Sequence, residues 1–333
     1  MLAWELGRVE PGPGVLRLVE RPVPVPGPGQ LRIRVTACGV CRTDLHLVQG
    51  DVPLHRPAIV PGHQVVGTVD ALGTGSSRFA IGERVGAAWL AGTCGLCRFC
   101  QEGRENLCFR ASFTGLDIDG GYAEAMVADE RFLYRLPAGF ADLHAAPLLC
   151  AGIIGYRALR AARIRPGARL GLYGFGSSAH VCAQIAMALG AQVYVVTRSS
   201  RARELAESLG AEWVGSPGDP PPVPLSGSII FAPDGGIVPS ALESLDRGGV
   251  VVIAGIHLSQ IPPIHYSTQL FGERSIRSVT ANTRADGEEL LSLSRAAGIH
   301  VTVSEYPLRQ ADRALEDLDG GLIRGTAVLN CLQ

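Results

Sequence analysis

Four cysteines lie close together in the chain with the spacing of a metal site. Cys94, Cys97, Cys100 and Cys108 follow a C-x2-C-x2-C-x7-C pattern. Four thiolates complete the tetrahedron that zinc prefers, so this zinc would be structural. An iron–sulfur cluster is the chemical alternative. It fits less well, because the ferredoxin pattern has its fourth cysteine three residues on and followed by proline, whereas here the gap is seven residues and Phe109 follows. Four unliganded thiols are not favoured at this spacing.

Three further residues could hold a metal with an open coordination position. Cys41 lies in Cys-Gly-Val-Cys-Arg-Thr-Asp-Leu-His, His63 in Pro-Gly-His-Gln and Cys150 in Pro-Leu-Leu-Cys-Ala-Gly. Two thiolates and one imidazole leave the fourth position of a tetrahedral zinc to water or a substrate oxygen, which is the arrangement of a catalytic site. Each of these residues alone could equally be a buried core residue.

A glycine-rich segment has the context of a dinucleotide-binding loop. Gly174-Phe-Gly-Ser-Ser-Ala179 follows a buried strand and opens a predicted helix. Gly174 and Gly176 would permit the tight turn and the approach of a pyrophosphate, and Ser177 and Ser178 would begin the helix whose N-terminus favours phosphate. A Gly-x-Gly turn by itself is weak evidence.

The predicted secondary structure that positions these residues changes near Cys150, from short strands to strands that alternate with helices. The first part has short alternating runs, such as Leu31–Val35 and Gln64–Val69, separated by turns rich in Gly and Pro, which predicts a β-rich domain. After it, strands alternate with helices, which predicts a parallel sheet. The predicted strands are Arg169–Tyr173, Gln192–Thr197, Ile229–Ala232 and Val250–Ala254, and the predicted helices are Gly155–Ala162, Ala179–Leu189, Arg201–Leu209 and Val238–Leu245.

Two later segments complete the predicted organisation. Pro217–Pro224 contains five prolines and is interpreted as a stiff surface loop, because sheet strands are predicted on both sides of it. Asp286 is predicted to be the N-cap of a helix that ends near Gly298.

The composition is that of an ordinary globular protein. The chain has 333 residues, of which 47% are hydrophobic and 18% charged, and its net charge of −1 favours neither a nucleic-acid nor a membrane partner. No apolar run is long enough to span a membrane, so a cytoplasmic location is expected. In that reducing compartment the nine cysteines are expected to be metal ligands or buried thiols, with Cys38, Cys182 and Cys331 as the buried ones.

These motifs resemble those of the zinc-dependent medium-chain alcohol dehydrogenases, and the resemblance extends over nearly the whole chain. It implies an α/β fold with a discontinuous, β-rich, GroES-like catalytic domain of residues 1–151 and 282–333, and a Rossmann cofactor-binding domain of residues 152–281. It also implies that Cys41, His63 and Cys150 hold a catalytic zinc in the cleft between the two domains. With the four-cysteine site, two Zn²⁺ per chain are expected.

The resemblance assigns roles to residues that follow Cys41. Thr43 and His46 stand where the family relays the alcohol proton to solvent; a capping Thr and a surface His are the alternative. Asp44 would orient His63. Arg42 matches a position that contacts the cofactor pyrophosphate, although it could be merely solvated.

The substrate pocket and its surroundings depart from the family pattern in several places. Trp89 would wall an apolar pocket, although core packing could also explain it. Val52 replaces a second Trp of the small-alcohol enzymes, which predicts a roomier pocket. Gln64 stands where Glu usually follows the histidine ligand, Ile154 replaces a common Thr, and Thr326 replaces a pyrophosphate-binding Arg for which Arg324 could substitute.

The predicted cofactor is NADP(H), with NAD(H) as the alternative. Thr197 and Arg198 occupy the end of the strand where NAD-specific members carry an acidic residue. The missing carboxylate removes repulsion against a 2′-phosphate, which Arg198, Arg201 or Arg203 could bind.

The sequence therefore predicts a zinc-dependent alcohol dehydrogenase, or aldehyde reductase, that transfers hydride between NAD(P)(H) and a zinc-bound alcohol or carbonyl oxygen. A cinnamyl-type or polyol dehydrogenase on the same scaffold is the close alternative. A catalytically silent nucleotide-binding protein is the alternative from another class. The resemblance further implies a homodimer or homotetramer, while the physiological substrate and the favoured direction stay open.

Overall fold

The computed structural model describes residues 1–7 and 14–333. The described part divides into two compact units. Unit 1 contains Met1–Cys150, Ala281–Ser292 and Val301–Gln333, and unit 2 contains Ala151–Thr280 and Leu293–His300. Residues 293–300 thus pack with unit 2, whereas the sequence analysis assigned all of residues 282–333 to the first domain. Among the described residues no helix combines the length and apolar character needed to cross a membrane.

Eighteen strands form four sheets. In chain order they are β1 (Leu2–Gly7), β2 (Val15–Glu20), β3 (Gln30–Val40), β4 (Ala58–Ile59), β5 (Val65–Leu72), β6 (Arg84–Ala87), β7 (Leu90–Gly92), β8 (Ser112–Phe113), β9 (Ala125–Asp129), β10 (Leu133–Arg135), β11 (Arg169–Tyr173), β12 (Gln192–Val196), β13 (Trp213–Gly215), β14 (Leu225–Ile230), β15 (Leu245–Ile253), β16 (Ser275–Ser278), β17 (Val303–Pro307) and β18 (Thr326–Asn330), counted over the described residues.

The described residues also form nine α-helices. They are α1 (Arg42–Gln49), α2 (Arg98–Gln101), α3 (Asp142–Ala145), α4 (Ala151–Ala161), α5 (Ser177–Ala188), α6 (Ser200–Ser208), α7 (Ile237–Glu243), α8 (Arg284–Ala296) and α9 (Ala311–Asp319).

Unit 1 is built on the long strand β3. One part of β3 pairs antiparallel with β5 and β9, and its later residues pair with β18, within a sheet of order β10-β6-β5-β3-β18-β17. The apolar residues Leu31, Ile33 and Val35 alternate with polar ones and are buried in the core, as a strand with one covered face requires. Strand β3 runs directly into Cys41 and α1, so the sheet positions the first segment of the predicted metal site.

Unit 2 is a six-stranded parallel sheet of order β13-β12-β11-β14-β15-β16. The central strand β11 is buried at Leu170 and Leu172, and its neighbours are apolar runs as well, which is typical of parallel strands covered on both faces. The chain continues from β11 to β12 on one side and later to β14 on the other. The glycine-rich loop after β11 therefore lies at the point where the strand order reverses, where α/β sheets bind ligands.

Most predicted elements of unit 2 are present. One predicted helix start, that of α8, is wrong. Strand Arg169–Tyr173 has the predicted bounds, and Pro217–Pro224 connects β13 and β14 of one sheet. Helix α8 begins at Arg284, and the residue that caps it is Thr283. The Thr283 Oγ1 accepts a hydrogen bond from the backbone N–H of Asp286 (3.1 Å), and the Asp286 carboxylate accepts one from the backbone N–H of Thr283 (2.9 Å). Asp286 thus completes a reciprocal capping box from the third helical position.

Candidate active site and metal centres

Cys41, His63 and Cys150 come together within unit 1. Their ligand atoms all lie within 4.8 Å of one another, and the Cys41 Sγ is 3.3 Å from the His63 Nε2. Cys41 is the N-cap of α1, His63 lies just before β5, and Cys150 follows a 3₁₀ turn at Ala146–Leu149. Residues from three separate segments thus present two sulfurs and one nitrogen to the same point.

The geometry and the protonation of this set fit a zinc ion. With ordinary zinc–ligand bond lengths, a tetrahedral ion holds sulfur and nitrogen ligands about 3.5 Å apart, close to the separation of Cys41 and His63. A hydrogen bond from Cys150 and the charge of His63 lower the pKa of Cys41. Burial alone would lower the pKa of His63, but the charges of Asp44 and Cys41 raise it to about 10. The lowered pKa favours the Cys41 thiolate that zinc binds, and zinc would take the His63 imidazole in its neutral form.

Asp44 connects two of the three segments that carry the candidate metal ligands. It is fully buried, its Oδ2 accepts a hydrogen bond from the Cys41 N–H (2.9 Å), and its Oδ1 accepts one from the Gly62 N–H (3.2 Å). The Oδ1 also lies 3.3 Å from the His63 Nδ1. Burial raises the pKa of Asp44, while the charge of His63 opposes that rise. One carboxylate thus holds the backbone of both segments and faces the imidazole, although the His63 Nδ1 makes no hydrogen bond within the described residues. The orienting role of Asp44 stays a prediction.

The segment before His63 is held from its other side by residues 120–122. The N–H of Tyr122 donates to the carbonyl of Pro61 (3.0 Å), and that of Gly121 donates to the carbonyl of Gly62 (2.9 Å). A Cβ on Gly62 would lie 2.4 Å from the Tyr122 ring, so glycine is needed here for the close approach. Sequence reasoning missed this support, because nothing in a Gly-Gly-Tyr segment indicates what it packs against.

Gln64 is buried directly beside His63, the proposed metal ligand. Its carboxamide nitrogen and oxygen both lack a hydrogen-bond partner within the part of the chain that the structure describes. A Cβ on Gly39 would lie 2.7 Å from the Gln64 Oε1, so the side chain fills the space that this glycine leaves. A neutral amide occupies the position where the family usually has a carboxylate, which removes a buried negative charge next to His63.

Helix α1 carries the predicted relay residues. Thr43 and His46 are three positions apart, so they lie on the same side of the helix, and both are partly buried. The His46 Nδ1 is 2.7 Å from the Asp51 Oδ2, a contact that the sequence analysis did not anticipate. Arg42 is exposed on the same helix.

The four cysteines of the second site form a compact cluster. The sulfur–sulfur separations are 3.9 Å for Cys94–Cys100, 3.6 Å for Cys97–Cys100 and 3.5 Å for Cys94–Cys108. The sulfurs of a zinc tetrahedron lie about 3.8 Å apart, so the cluster fits the ion. Backbone N–H groups of Leu96 and Cys97 lower the pKa of Cys94 to about 6, which favours the thiolate that a metal requires.

The four-cysteine segment is attached to the start of α8 by an ion pair that the sequence did not reveal. The Glu105 carboxylate accepts hydrogen bonds from the Arg284 Nε (3.0 Å), from its Nη2 (2.6 Å) and from its backbone N–H (2.7 Å). Glu105 is buried, and hydrogen bonds from Arg284 lower its pKa against the opposing effect of burial. The Arg284 guanidinium also lies over the Phe132 ring.

An apolar cluster lies beside His63. The Trp89 ring meets the His63 ring edge-on at 4.9 Å between centroids and stacks on Phe113 at 5.0 Å. Val52 belongs to the same cluster, which is completed by Leu47, Leu54 and Leu116 among others. The two predicted pocket residues, Trp89 and Val52, therefore share one apolar region next to a proposed metal ligand.

The glycine-rich loop of unit 2 turns tightly between β11 and α5. Gly174 has φ +87°, and a Cβ there would lie 2.9 Å from the backbone nitrogen of Ala232. Gly176 precedes the first turn of α5, where Ser177 and Ser178 are partly exposed, and a Cβ on Gly176 would meet no atom within 4 Å. The loop thus leaves the start of α5 open to a pyrophosphate.

The arginines near the predicted 2′-phosphate site have different environments. Thr197 is buried at the end of β12, and Arg198 is exposed. The Arg203 Nη1 donates to the carbonyl oxygens of Thr197 (3.1 Å) and Arg198 (3.0 Å), so this arginine supports the loop. Arg198 and Arg201, both exposed, are therefore the better candidates for a phosphate contact.

Comparison with known proteins identifies the family. Residues 27–138 match the alcohol dehydrogenase GroES-like domain, and residues 179–296 match the zinc-binding dehydrogenase domain. The chain is 53% identical to "Probable alcohol dehydrogenase AdhA" of Mycobacterium tuberculosis (strain CDC 1551 / Oshkosh), over 99% of this chain and 97% of the relative. It is 33% identical to an alcohol dehydrogenase of Geobacillus stearothermophilus, over 90% and 91% of the two chains. The structure of a thermostable alcohol dehydrogenase from Pyrobaculum aerophilum aligns with a TM-score of 0.90 at 26% identity, covering 99% of each chain. The chain therefore belongs to the zinc-dependent medium-chain alcohol dehydrogenase family, whose reaction is the oxidation of alcohols and the reduction of aldehydes with a nicotinamide cofactor.

Proposed function

We propose that this protein transfers hydride between NADP(H) and a primary alcohol or its aldehyde at a zinc held by Cys41, His63 and Cys150. The convergence of these three ligand atoms within 4.8 Å carries the proposal. A second zinc, held by Cys94, Cys97, Cys100 and Cys108, is structural, which gives two ions per chain. Metal analysis of the purified protein tests this count; one ion per chain would favour the catalytically silent alternative.

The bound groups supply two parts of the chemistry: zinc acts as a Lewis acid that lowers the pKa of the substrate hydroxyl, and the nicotinamide exchanges hydride with carbon. The chain supplies the remainder. Thr43 can accept the hydroxyl proton and donate its own, and His46 can pass the proton outward, since an imidazole nitrogen can accept a proton and release it again. Asp44 keeps His63 oriented through the contacts described above.

The substrate preference is proposed from the apolar cluster beside His63. Trp89 stacks on Phe113 and presents its edge to the His63 ring, so the substrate chain would pack on an aromatic wall. Val52 is much smaller than Trp, so the pocket should admit longer aliphatic or aromatic alcohols, including those of cinnamyl type. Catalytic efficiencies across a series of aliphatic and aromatic aldehydes test this preference.

The preference for NADP(H) over NAD(H) is proposed from the end of β12. Thr197 places no carboxylate near the adenosine ribose, and the exposed Arg198 and Arg201 can bind a 2′-phosphate. The loop of Gly174, Gly176, Ser177 and Ser178 would hold the pyrophosphate. The ratio of catalytic efficiencies with NADPH and NADH, measured on zinc-replete protein, should be well above one and should fall in Arg198→Ala. The matched control is Arg309→Ala, another exposed arginine. A ratio below one would refute the 2′-phosphate site and leave the zinc chemistry intact.

We further propose a homodimer or homotetramer in the cytoplasm. The candidate contact is the β16 side of the unit 2 sheet, which is largely exposed, together with the exposed rings of Tyr266 and Phe271. Light scattering of the purified protein measures the oligomeric state, and cell fractionation tests the location.

A further inference from the structure

After α1 the chain turns back and places the acidic residue Asp51 beside His46. The helix ends at Gly50 in the left-handed conformation, φ 82°, which glycine adopts without strain. The chain then reverses, and the Asp51 N–H donates to the His46 carbonyl oxygen at 2.9 Å. The Asp51 Oδ2 is 2.7 Å from the His46 Nδ1. Asp51 is thus bonded to both the backbone and the ring of His46.

The second of these bonds fixes where the ring carries its proton. An ionised carboxylate can only accept hydrogen bonds, and a neutral imidazole has one N–H and one lone pair. At 2.7 Å from a carboxylate oxygen, Nδ1 must therefore hold the proton. The lone pair then lies on Nε2, so Nε2 can act only as an acceptor.

We propose that Asp51 is a positioning residue that fixes this tautomer of His46 and so makes Nε2 the acceptor for the proton that leaves the substrate. The proposal rests on the relay through Thr43 in the proposed function. In this step the substrate O–H bond breaks as its proton passes to the Thr43 hydroxyl oxygen, the Thr43 hydroxyl releases its own proton into the relay, and the proton that the relay delivers forms an N–H bond at Nε2. The ring becomes a cation beside the Asp51 carboxylate and later returns a proton to water; no electrons are exchanged in this step.

The burial of the two side chains indicates the size of the effect. The His46 side chain is 13% exposed and that of Asp51 is 47% exposed, so water can partly replace the carboxylate. Loss of a partner behind a metal-binding histidine costs about 10–100-fold. His46 binds no metal and its partner is half exposed, so we expect an effect of about tenfold, at the lower end of that range.

The test uses zinc-replete Asp51→Asn labelled with ¹⁵N-histidine. Asparagine has the same size, but its NH₂ group can donate to Nδ1 and so favours the proton on Nε2. Long-range ¹H–¹⁵N NMR, with the His46 signals assigned through His46→Gln, reads the tautomer directly. We expect Nδ1–H in the parent protein, Nε2–H in Asp51→Asn, about a tenfold lower kcat for alcohol oxidation, and unchanged zinc content. Asp51→Glu should restore part of both effects. The matched control is His55→Asn, which breaks a second His–Asp pair of unit 1, His55–Asp117 at 2.6 Å, and should leave kcat unchanged.

The possible results distinguish a failure of the role proposed for Asp51 from a failure of the proton relay through Thr43 and His46. An unaltered His46 tautomer in Asp51→Asn overturns the inference, as does a lower kcat accompanied by an equal loss of zinc. If the tautomer changes while neither Asp51→Asn nor His46→Gln slows turnover, the relay of the proposed function is wrong and the mechanistic role of Asp51 is overturned with it. A changed tautomer together with slower turnover that Asp51→Glu partly restores supports both.

Discussion

Replacing Glu105 with Gln should destabilise unit 1 well beyond what one ordinary ion pair contributes. The carboxylate accepts the Nε, the Nη2 and the backbone N–H of Arg284 at 2.6–3.0 Å, and only 7% of Glu105 is exposed. Glutamine keeps the shape and one oxygen acceptor. It loses the charge and places an NH₂ group against a guanidinium that can only donate.

The expected cost follows from the environment of the two partners. Breaking a fully buried pair costs about 3–5 kcal/mol, whereas a surface pair contributes about 0–1 kcal/mol. Glu105 is buried, but the Arg284 side chain is 42% exposed and can be solvated after the change. We therefore expect a loss of about 2 kcal/mol in the free energy of unfolding.

Urea unfolding of zinc-replete protein, followed by tryptophan fluorescence, measures this loss. The matched control is Glu102→Gln in the same segment, where the pair Glu102–Arg104 is 3.2 Å long and both side chains are at least half exposed. It should cost less than about 0.5 kcal/mol. If Glu105→Gln costs no more than Glu102→Gln, the pair does not stabilise the attachment of the four-cysteine segment and the reasoning fails.

Three further predictions concern the second metal site, acid stability and the pocket. Cys108→Ser should lower the zinc content from two ions to one per chain and reduce the melting temperature, as metal analysis and calorimetry would measure; retention of both ions would exclude a four-thiolate site. Burial lowers the pKa of His180 to about 4, below the ordinary 6.5, so the folded protein binds fewer protons than the unfolded chain between these values. The free energy of unfolding should therefore fall by up to about 3 kcal/mol as the pH drops through this window. Urea titrations at pH 7 and 4.5 measure the fall, and His180→Gln should lack this part of it. An equal pH dependence in the parent protein and the variant would show that His180 does not cause the fall. Val52→Trp should lower kcat/KM for aromatic alcohols by about tenfold or more while sparing ethanol, and an unchanged substrate ratio would place Val52 outside the pocket.

The sequence predicted best those features, such as strands and cysteine motifs, that depend on residues close together in the chain. The strand Arg169–Tyr173 could be predicted because a parallel strand covered on both faces is a continuous apolar run, and the cysteine spacing from Cys94 to Cys108 indicated a metal site by itself. The helix start was wrong because Asp is frequent both as an N-cap and in the first turn. Only the structure shows that Thr283 fills the first role and Asp286 the second.

What the sequence could not predict depends on contacts between distant segments. Glu105 and Arg284 are 179 residues apart, and neither stands in a pattern that names a partner. The contact of Asp51 with His46 is local, but it depends on the left-handed conformation of Gly50, and a Gly-Asp pair after a helix is equally typical of a simple surface turn. For the catalytic set, the family resemblance supplied what periodicity could not, because Cys41, His63 and Cys150 lie on separate elements.

The pairing of β3 with β18 has a consequence for the order in which the nascent chain can fold. Strand β3 is made early, but the strand that pairs with its later residues, β18, emerges from the ribosome only after the whole of Ala151–Thr280. The parallel sheet of unit 2 can therefore form during synthesis. Until β18 is made, the edge of β3 next to Cys41 lacks its partner strand, and its backbone groups stay unpaired. We infer that the sheet of unit 1 is completed only after the rest of the chain has been made, when β18 pairs with this edge of β3.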